Sequence, residues 1–415
     1  MEHKSFVVTG ANFRNKGALS MLLVTVTELR LRFPGCDIFM ITNEDNIVEI
    51  QPTVSVKMLS ARISDWQYVQ GGGNTFVATA KAIAKYLKGN RNAIKNMKHL
   101  AEVMNDADAL VDISGFSVSS QWGCDATIKY TNMLHAAKAK KIPVFIMPQS
   151  FGPFDYTEKK DEMIRLLKTY LSYPVCVFAR EQEGYDRLKD ELQLKNISLS
   201  PDLVLENKEV RPQELFTNDI KVKVPKIESK KNVAIIPNIR SFENANTDTL
   251  KELYLKIVEN LATKGIDIYF LSHSTEDLPI CTSLYESVKG PYKDRVHLIE
   301  KDLSPLEFSS IVSAFEFVIA SRYHAIVHSY KAGVPAVVLG WAEKYNSLLA
   351  LANQTNFMFD VRGMIDSKKI QDSVDLMLNE VETQHKNIME AVEKLQSNNC
   401  FDCITEFFNG TRNEQ

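Results

Sequence analysis

Nowhere in the 415 residues does an uninterrupted apolar stretch approach the ~20 needed to span a bilayer. The opening segment, MEHKSFVVTG, enters a strand-like run at once and holds no apolar leader with a cleavage site. The expectation is therefore a cytoplasmic protein, with peripheral contact at the inner face of the membrane as the closest approach to lipid. Cysteine is sparse: six residues, at 36, 124, 176, 281, 400 and 403, too scattered for a disulfide framework. Cys400 and Cys403 form one CxxC, but without a second pair or a nearby histidine they read as two free thiols. The net charge is only −3 and no zinc-finger or aromatic-basic signature is present, which argues against a nucleic-acid partner. Short-period repeats, low-complexity tracts and anything like a metal cage are also missing, so no metal and no bound cofactor are expected.

What is present is the composition of a folded, soluble protein, with 45% apolar and 24% charged residues. The length exceeds one ordinary core, so two domains are expected. Short apolar runs at Phe6–Val8, Leu110–Ile113, Val144–Met147 and Val175–Phe178 predict buried parallel strands in the first half. Leu19, Leu22, Val26, Leu29 and Phe33 recur at helical spacing until Pro34–Gly35 stops them. The second half repeats the grammar, with strands predicted at Val233–Ile236, Ile266–Leu271, His297–Ile299, Phe317–Ala320 and Ala336–Leu339. Ser304, Pro305, Leu306 and Glu307 read as a capping box with proline at the first helical position. Strands alternating with helices imply α/β architecture, as two Rossmann-like doubly wound domains facing a cleft. Residues 1–206 form the first domain and the charged stretch 207–231 the linker. Residues 232–415 form the second domain, closing with amphipathic helices from about Asp366 to Gln396.

Sheets of this kind bind ligands beyond the carboxyl ends of their strands. The most informative such loop is Ser321-Arg322-Tyr323-His324, between a buried strand and a helix that Gly333-Val334-Pro335 closes. It sets Arg322, His324 and backbone N–H groups at a helix N-terminus, a place that favours anions and proton exchange. The bland alternative is that Arg322 pairs with a nearby carboxylate and His324 only caps the helix. A second cationic loop, Trp341 to Tyr345 with Lys344, follows the next strand and favours the functional reading. His273 after another strand reads as a satisfied loop histidine. Gly71-Gly72-Gly73 opens no dinucleotide fingerprint and reads as a turn. Lys81–Lys98 carries six Lys/Arg and no acid; a solvated helix face is the first reading, docking on an anionic bilayer or a polyprenyl pyrophosphate the second.

Five segments in order then resemble one family. Gly10–Gly17 (GANFRNKG), Pro148–Pro153 (PQSFGP), Ala179-Arg180-Glu181, Ser200-Pro201-Asp202 and S-R-x-H-A followed by A-G-V-P and K-Y are similar to the signature of polysaccharide pyruvyltransferases. The resemblance spans about residues 6–345. It implies the two-domain architecture called GT-B, with the acceptor on the first domain and phosphoenolpyruvate (PEP) on the second. The implied activity moves the pyruvyl group of PEP, a co-substrate, onto two hydroxyls of a saccharide, such as one linked to a polyprenyl pyrophosphate, in surface or capsular polysaccharide biosynthesis. His324 is then the acid/base residue with Arg322 beside it. A doubly anionic donor needs fixed cations, for which Arg180, Arg240 and Lys344 join Ser321. Asn12, Asn15, Gly17 and Asp202 are acceptor-side candidates, Asp202 having an equal claim as a turn residue. Two departures, Asn15-Lys16-Gly17-Ala18 without an acid after glycine and Ser114 in Asp112–Gly115 in place of a second glycine, bear on the acceptor. The alternatives are a GT-B glycosyltransferase using a nucleotide sugar, for which Glu343 is the sole candidate ribose-binding acid, and a non-catalytic saccharide-binding relative.

Overall fold

A computed structural model describes residues 3–42, 47–71, 76–77, 79–81, 83–84, 93–341 and 344–410. Gly72, Gly73, Glu343 and half of the basic stretch Lys81–Lys98 (residues 82 and 85–92) lie outside the described residues, and with them the readings placed there. The chain divides into two compact units.

The first unit carries seven parallel strands: β1 (Ser5–Thr9), β2 (Asp37–Thr42), β3 (Lys57–Ser60), β4 (Ala109–Asp112), β5 (Val144–Gln149), β6 (Cys176–Ala179) and β7 (Ile197–Leu199), in the order β3-β2-β1-β4-β5-β6-β7. The second carries six: β8 (Asn232–Ile236), β9 (Asp267–Leu271), β10 (Val296–Ile299), β11 (Phe317–Ala320), β12 (Ala336–Gly340) and β13 (Met358–Asp360), ordered β10-β9-β8-β11-β12-β13. Every residue of β4, β5, β8, β11 and β12 is buried, as a parallel sheet covered on both faces demands. That is why those strands stand out as apolar runs. Of the four strands the sequence reading passes over, β3, β7 and β13 are short edge strands with exposed or polar residues, and β2 alternates before it becomes fully buried.

Helices fill the crossovers. The helix Lys16–Arg32 buries most of its circumference, is capped by the Asn15 side chain on the Ala18 N–H, and ends before Pro34–Gly35. The capping box forms as expected on the helix Pro305–Val312, with Ser304 and Glu307 each accepting the other's backbone N–H. Burial works to raise the Glu307 carboxyl, but hydrogen bonds from Lys301 and the backbone N–H groups of Ser304 and Lys223 outweigh it, holding it at about 2 instead of 4.5. A depressed carboxylate stabilises fully above its ordinary value and loses that contribution as pH falls through its folded value. Glu307→Gln is therefore expected to lower stability at neutral pH, with the deficit vanishing between pH 4.5 and about 2. Urea unfolding over a pH series reads it; a deficit that persists unchanged at pH 2 would refute the assignment.

The domain boundaries need correction: Val204–Glu206, expected in the first domain, and residues 221–231, expected in the linker, fall in the second unit. Residues 207–220, expected in the linker, belong to the first unit: Leu215 is fully buried, Phe216 bridges Val54, and the Ser55 N–H donates to the Leu215 carbonyl at 2.8 Å. Residues 399–410, expected in the second domain, also belong to the first. There the helix Asp402–Gly410 packs Phe408 against Phe6 and Phe33 and Phe407 against Phe145, while Arg32 donates to Asp402 at 2.6 Å. Cys403, read as a free thiol, lies with its sulfur 3.0 Å from that of Cys176 on β6. An amphipathic pattern announces that a helix must bury a face, not which core receives it. The amphipathic stretch from Asp366 is one helix, Ser367–Leu395, of the second unit.

Candidate active site

In each unit the strand order reverses once, between β1 and β4 in the first and between β8 and β11 in the second. Connections leave those strand pairs in opposite directions, which opens a crevice at their carboxyl ends.

In the second unit the crevice is tied at its base by Ser321. Its N–H donates to the Ile236 carbonyl at 3.0 Å, and its own carbonyl accepts from the Asn238 amide at 3.0 Å and the Tyr345 hydroxyl at 2.9 Å. The Ser321 hydroxyl lies 2.9 Å from that of Tyr254, and the residue is fully buried. Expected to contact the donor, Ser321 instead spends its polar groups on joining two strand ends. The helix Tyr323–Lys331 starts directly after, with Arg322 at the cap position and no acid in its first turn. His324 is half-buried there, its ring edge-on to Tyr323 at 5.5 Å between centroids.

Arg322 departs from the expectation of a guanidinium presented to a ligand. Its Nε donates to Asp277 Oδ2 at 2.7 Å and its Nη2 to Asp277 Oδ1 at 2.6 Å and Glu276 Oε1 at 2.5 Å. Asp277 is fully buried and also accepts the Ile239 N–H at 3.0 Å. Arg240 reaches the same carboxylate, donating to Glu276 Oε2 at 3.4 Å and to Glu243 at 2.7 Å. The hydrogen bond from Arg322 holds the Glu276 carboxyl below its ordinary range. Two arginines read separately in sequence thus meet on one acidic loop. That loop, Glu276-Asp277 after β9, is the part sequence reasoning missed; its signal was an acidic pair beyond a strand end beside β8. Lys344 holds its ammonium 5.6 Å from the ring centroids of Tyr323 and Trp341 and 5.8 Å from that of Tyr345. The Trp341 indole N–H is buried without a hydrogen-bond partner among the described residues. His273, read as a satisfied loop histidine, is buried with its ring edge-on against Phe308.

Arg180 and Asp202 lie in the first unit, and they close on each other. Arg180 Nη1 donates to Asp202 at 3.0 Å, and its Nε to Glu181 and to the Ser150 hydroxyl, each at 3.0 Å. The side chains of Arg180, Glu181 and Asp202 are 3%, 6% and 0% exposed. Three motifs that stand apart in the sequence, around Gln149–Ser150, Arg180–Glu181 and Asp202, are therefore one buried ion network. Arg180, expected on the donor, and Asp202, expected on the acceptor side, thus pair with each other in this network.

The remaining candidates sit at the first unit's crevice. Asn12 accepts the Asn15 N–H at 2.7 Å, Asn15 caps its helix, and Gly17 is buried in the first turn, so Asn15 and Gly17 shape the loop from within. Gly10 has φ +88°, and a Cβ there would lie 2.4 Å from Ser114, so only glycine lets the loops after β1 and β4 meet. Between them opens a pocket of about 530 Å³ to which Asn12 contributes. Beneath it lies the buried Asp112 carboxylate, bonded by Thr9 at 2.9 Å, Ser114 at 2.6 Å, Tyr130 at 2.7 Å and Gln149 at 3.0 Å. Burial pushes the Asp112 carboxyl up despite those bonds.

The family model "Polysaccharide pyruvyl transferase" matches residues 15–343, which include the Ser321–His324 turn and the buried Arg180–Asp202 pair. The chain belongs to the polysaccharide pyruvyl transferase family. A relative of this pyruvyl transferase is the amylovoran biosynthesis protein AmsJ of Erwinia amylovora, 19% identical over 310 residues and 72% of each chain. Similar solved structures include UGT71G1 of Medicago truncatula complexed with UDP-glucose, 11% identical over 94% of this chain and 93% of the other, with a TM-score of 0.51. An α,α-trehalose-phosphate synthase from Burkholderia vietnamiensis is 10% identical over 100% and 99%, with a TM-score of 0.52. At that identity they show the fold, two Rossmann-like units of the GT-B glycosyltransferase type. Among the described residues no helix is long and apolar enough to cross a membrane.

Proposed function

We propose that this transferase carries the pyruvyl group of PEP onto two hydroxyls of a saccharide, as a ketal, during exopolysaccharide assembly, and that the donor binds at the β8/β11 crevice. The observation that carries this is one turn that puts His324 at a helix N-terminus, flanked by Lys344 and the paired Arg322 and Arg240. A phosphate or carboxylate oxygen is what that dipole end, the ammonium and the buried Trp341 N–H are suited to receive. The kinship with a protein of amylovoran biosynthesis supports the polysaccharide setting. PEP as donor places the reaction in the cytoplasm, with the acceptor carried on a lipid at the membrane's inner face.

The reaction asks little beyond proton movement and charge placement. The methylene carbon of PEP gains a proton and becomes a methyl group, leaving an oxocarbenium-like centre at C2. One sugar hydroxyl adds to C2 and loses its proton; the bond from C2 to the phosphate-bearing oxygen breaks, and inorganic phosphate leaves. The second hydroxyl then closes the ketal and gives up its own proton. Across the sequence one hydroxyl proton balances the new methyl hydrogen and the other departs with phosphate. His324 is the group positioned to exchange protons, while Asp277 fixes the plane of Arg322.

Glu276 competes with the donor for both guanidinium groups. Removing its charge without changing its shape frees the outer edge of Arg322 and leaves Arg240 paired with Glu243 alone. Glu276→Gln is expected to lower the KM for PEP about threefold to tenfold, of the order a partly solvated charge contributes, with kcat little changed. Steady-state phosphate release against PEP concentration measures it; a raised KM would show that Glu276 serves the donor rather than blocking it.

A further inference from the structure

Two thiols 227 residues apart in the chain meet at the C-terminal helix of the first unit. Cys176 opens β6 and Cys403 stands in the first turn of the helix Asp402–Gly410, with their sulfurs 3.0 Å apart. The docking of that helix fixes the meeting. In the sheet, Cys176 is paired in register with Phe145. Phe407, one helical turn beyond Cys403, packs edge-on against Phe145 at 5.6 Å. One helix face thus covers two neighbouring strand residues, through an aromatic contact and a thiol contact. Phe408 against Phe6 and Phe33, with the fully buried Ile404, holds the helix without help from sulfur. A bonded pair lies only about 1 Å closer than these sulfurs do. Both residues keep part of their surface in solvent, whereas Cys36, Cys281 and Cys400 are buried.

We propose that Cys176 and Cys403 are a reversible dithiol, a modification site for low-molecular-weight disulfides of the glutathione class, and that its closure staples the C-terminal helix to β6. The Cys403 sulfur attacks one sulfur of the small disulfide, and a first small thiol leaves. Cys176 then attacks the Cys403 sulfur of that mixed disulfide and expels the second small thiol. The two protons that the protein gives up end on the released thiols, and the two electrons reduce the small disulfide. The hydrogen bond with Cys403, and burial after it, push the Cys176 thiol well above its ordinary value. Cys176 is therefore the second attacker, freed of that bond once Cys403 has reacted. In a reducing compartment the exchange runs backwards, so the link is transient. The loop it closes holds residues 221–398 of the second unit, yet both sulfurs belong to the first. Neither thiol takes part in the proposed pyruvyl transfer.

The test incubates the full chain with oxidised glutathione, quenches it in acid, alkylates the remaining thiols and maps the peptides by mass spectrometry. The expected product is a peptide pair joined through Cys176 and Cys403 and released by dithiothreitol. Cys176→Ser should stop at glutathione carried on Cys403, and Cys403→Ser should leave Cys176 alkylated. Closing so long a loop should raise the melting midpoint of the first unit by about 5 °C or more. Emission of Trp66 and Trp122, with Trp341 replaced by phenylalanine, follows that unit. Cys176→Ser, treated alike, should show no such rise. Both thiols recovered alkylated from the parent would overturn the site, as would a link through Cys400 in place of either. A linked protein that melts no higher than the reduced one overturns the staple.

Discussion

His324→Ala is expected to slow pyruvyl transfer about 10²- to 10⁴-fold, the range a positioned general acid or base supplies, while the fold is kept. The ring is half-buried at the first turn of the helix Tyr323–Lys331 and approaches Tyr323 edge-on. Truncation there leaves the buried core of β11 and the Ser321 ties intact, so the loss should fall on kcat. Phosphate release with acceptor present, together with circular dichroism of the variant, makes the measurement. A parent-like kcat in a folded His324→Ala protein would remove the residue from the chemistry and leave Lys344 and the arginines as a binding site only.

Asp277→Ala is expected to cost the second unit about 3 kcal/mol, toward the lower end for breaking a buried ion pair because Arg322 keeps some exposure. The carboxylate is fully buried, receives two bonds from Arg322, and accepts the Ile239 N–H at the start of the loop carrying Arg240. Its removal strands a mostly buried guanidinium and a backbone donor together. The variant should also lose transfer, because the turn that aims His324 is hinged on the same arginine. Trp341 is the second unit's only tryptophan, the other two of the chain being Trp66 and Trp122. Urea unfolding followed by Trp341 emission, with Trp66 and Trp122 replaced by phenylalanine, therefore reads that unit. A midpoint shift equivalent to less than about 1 kcal/mol would mean that the pair is effectively solvated.

The elements that could be read in advance share a physical cause. Central parallel strands are buried on both faces, so β1, β4, β5, β8, β11 and β12 appear as unbroken apolar runs. The capping box at Ser304 is equally local, since both partners lie within one turn. Edge strands such as β7 and β13 lack that signal because one side of each meets no neighbouring strand. The role of Arg180 was illegible for a different reason. Its partner Asp202 is 22 residues away, and nothing in either motif says that two chargeable side chains neutralise each other in the core.

The order of the motifs and the rhythm of strand and helix sufficed to give the family, the two Rossmann-like units and the turn that bears His324. These are properties of short segments, in which spacing and burial dictate the outcome. Which charges remain available to a ligand was settled only by folding. Coulomb pairing depends on distance through space, so the acids of one loop after β9 could claim Arg322 and Arg240 without any trace in the sequence around them. The pocket between the loops after β1 and β4 likewise depends on Gly10, which lets two loops more than a hundred residues apart come into contact.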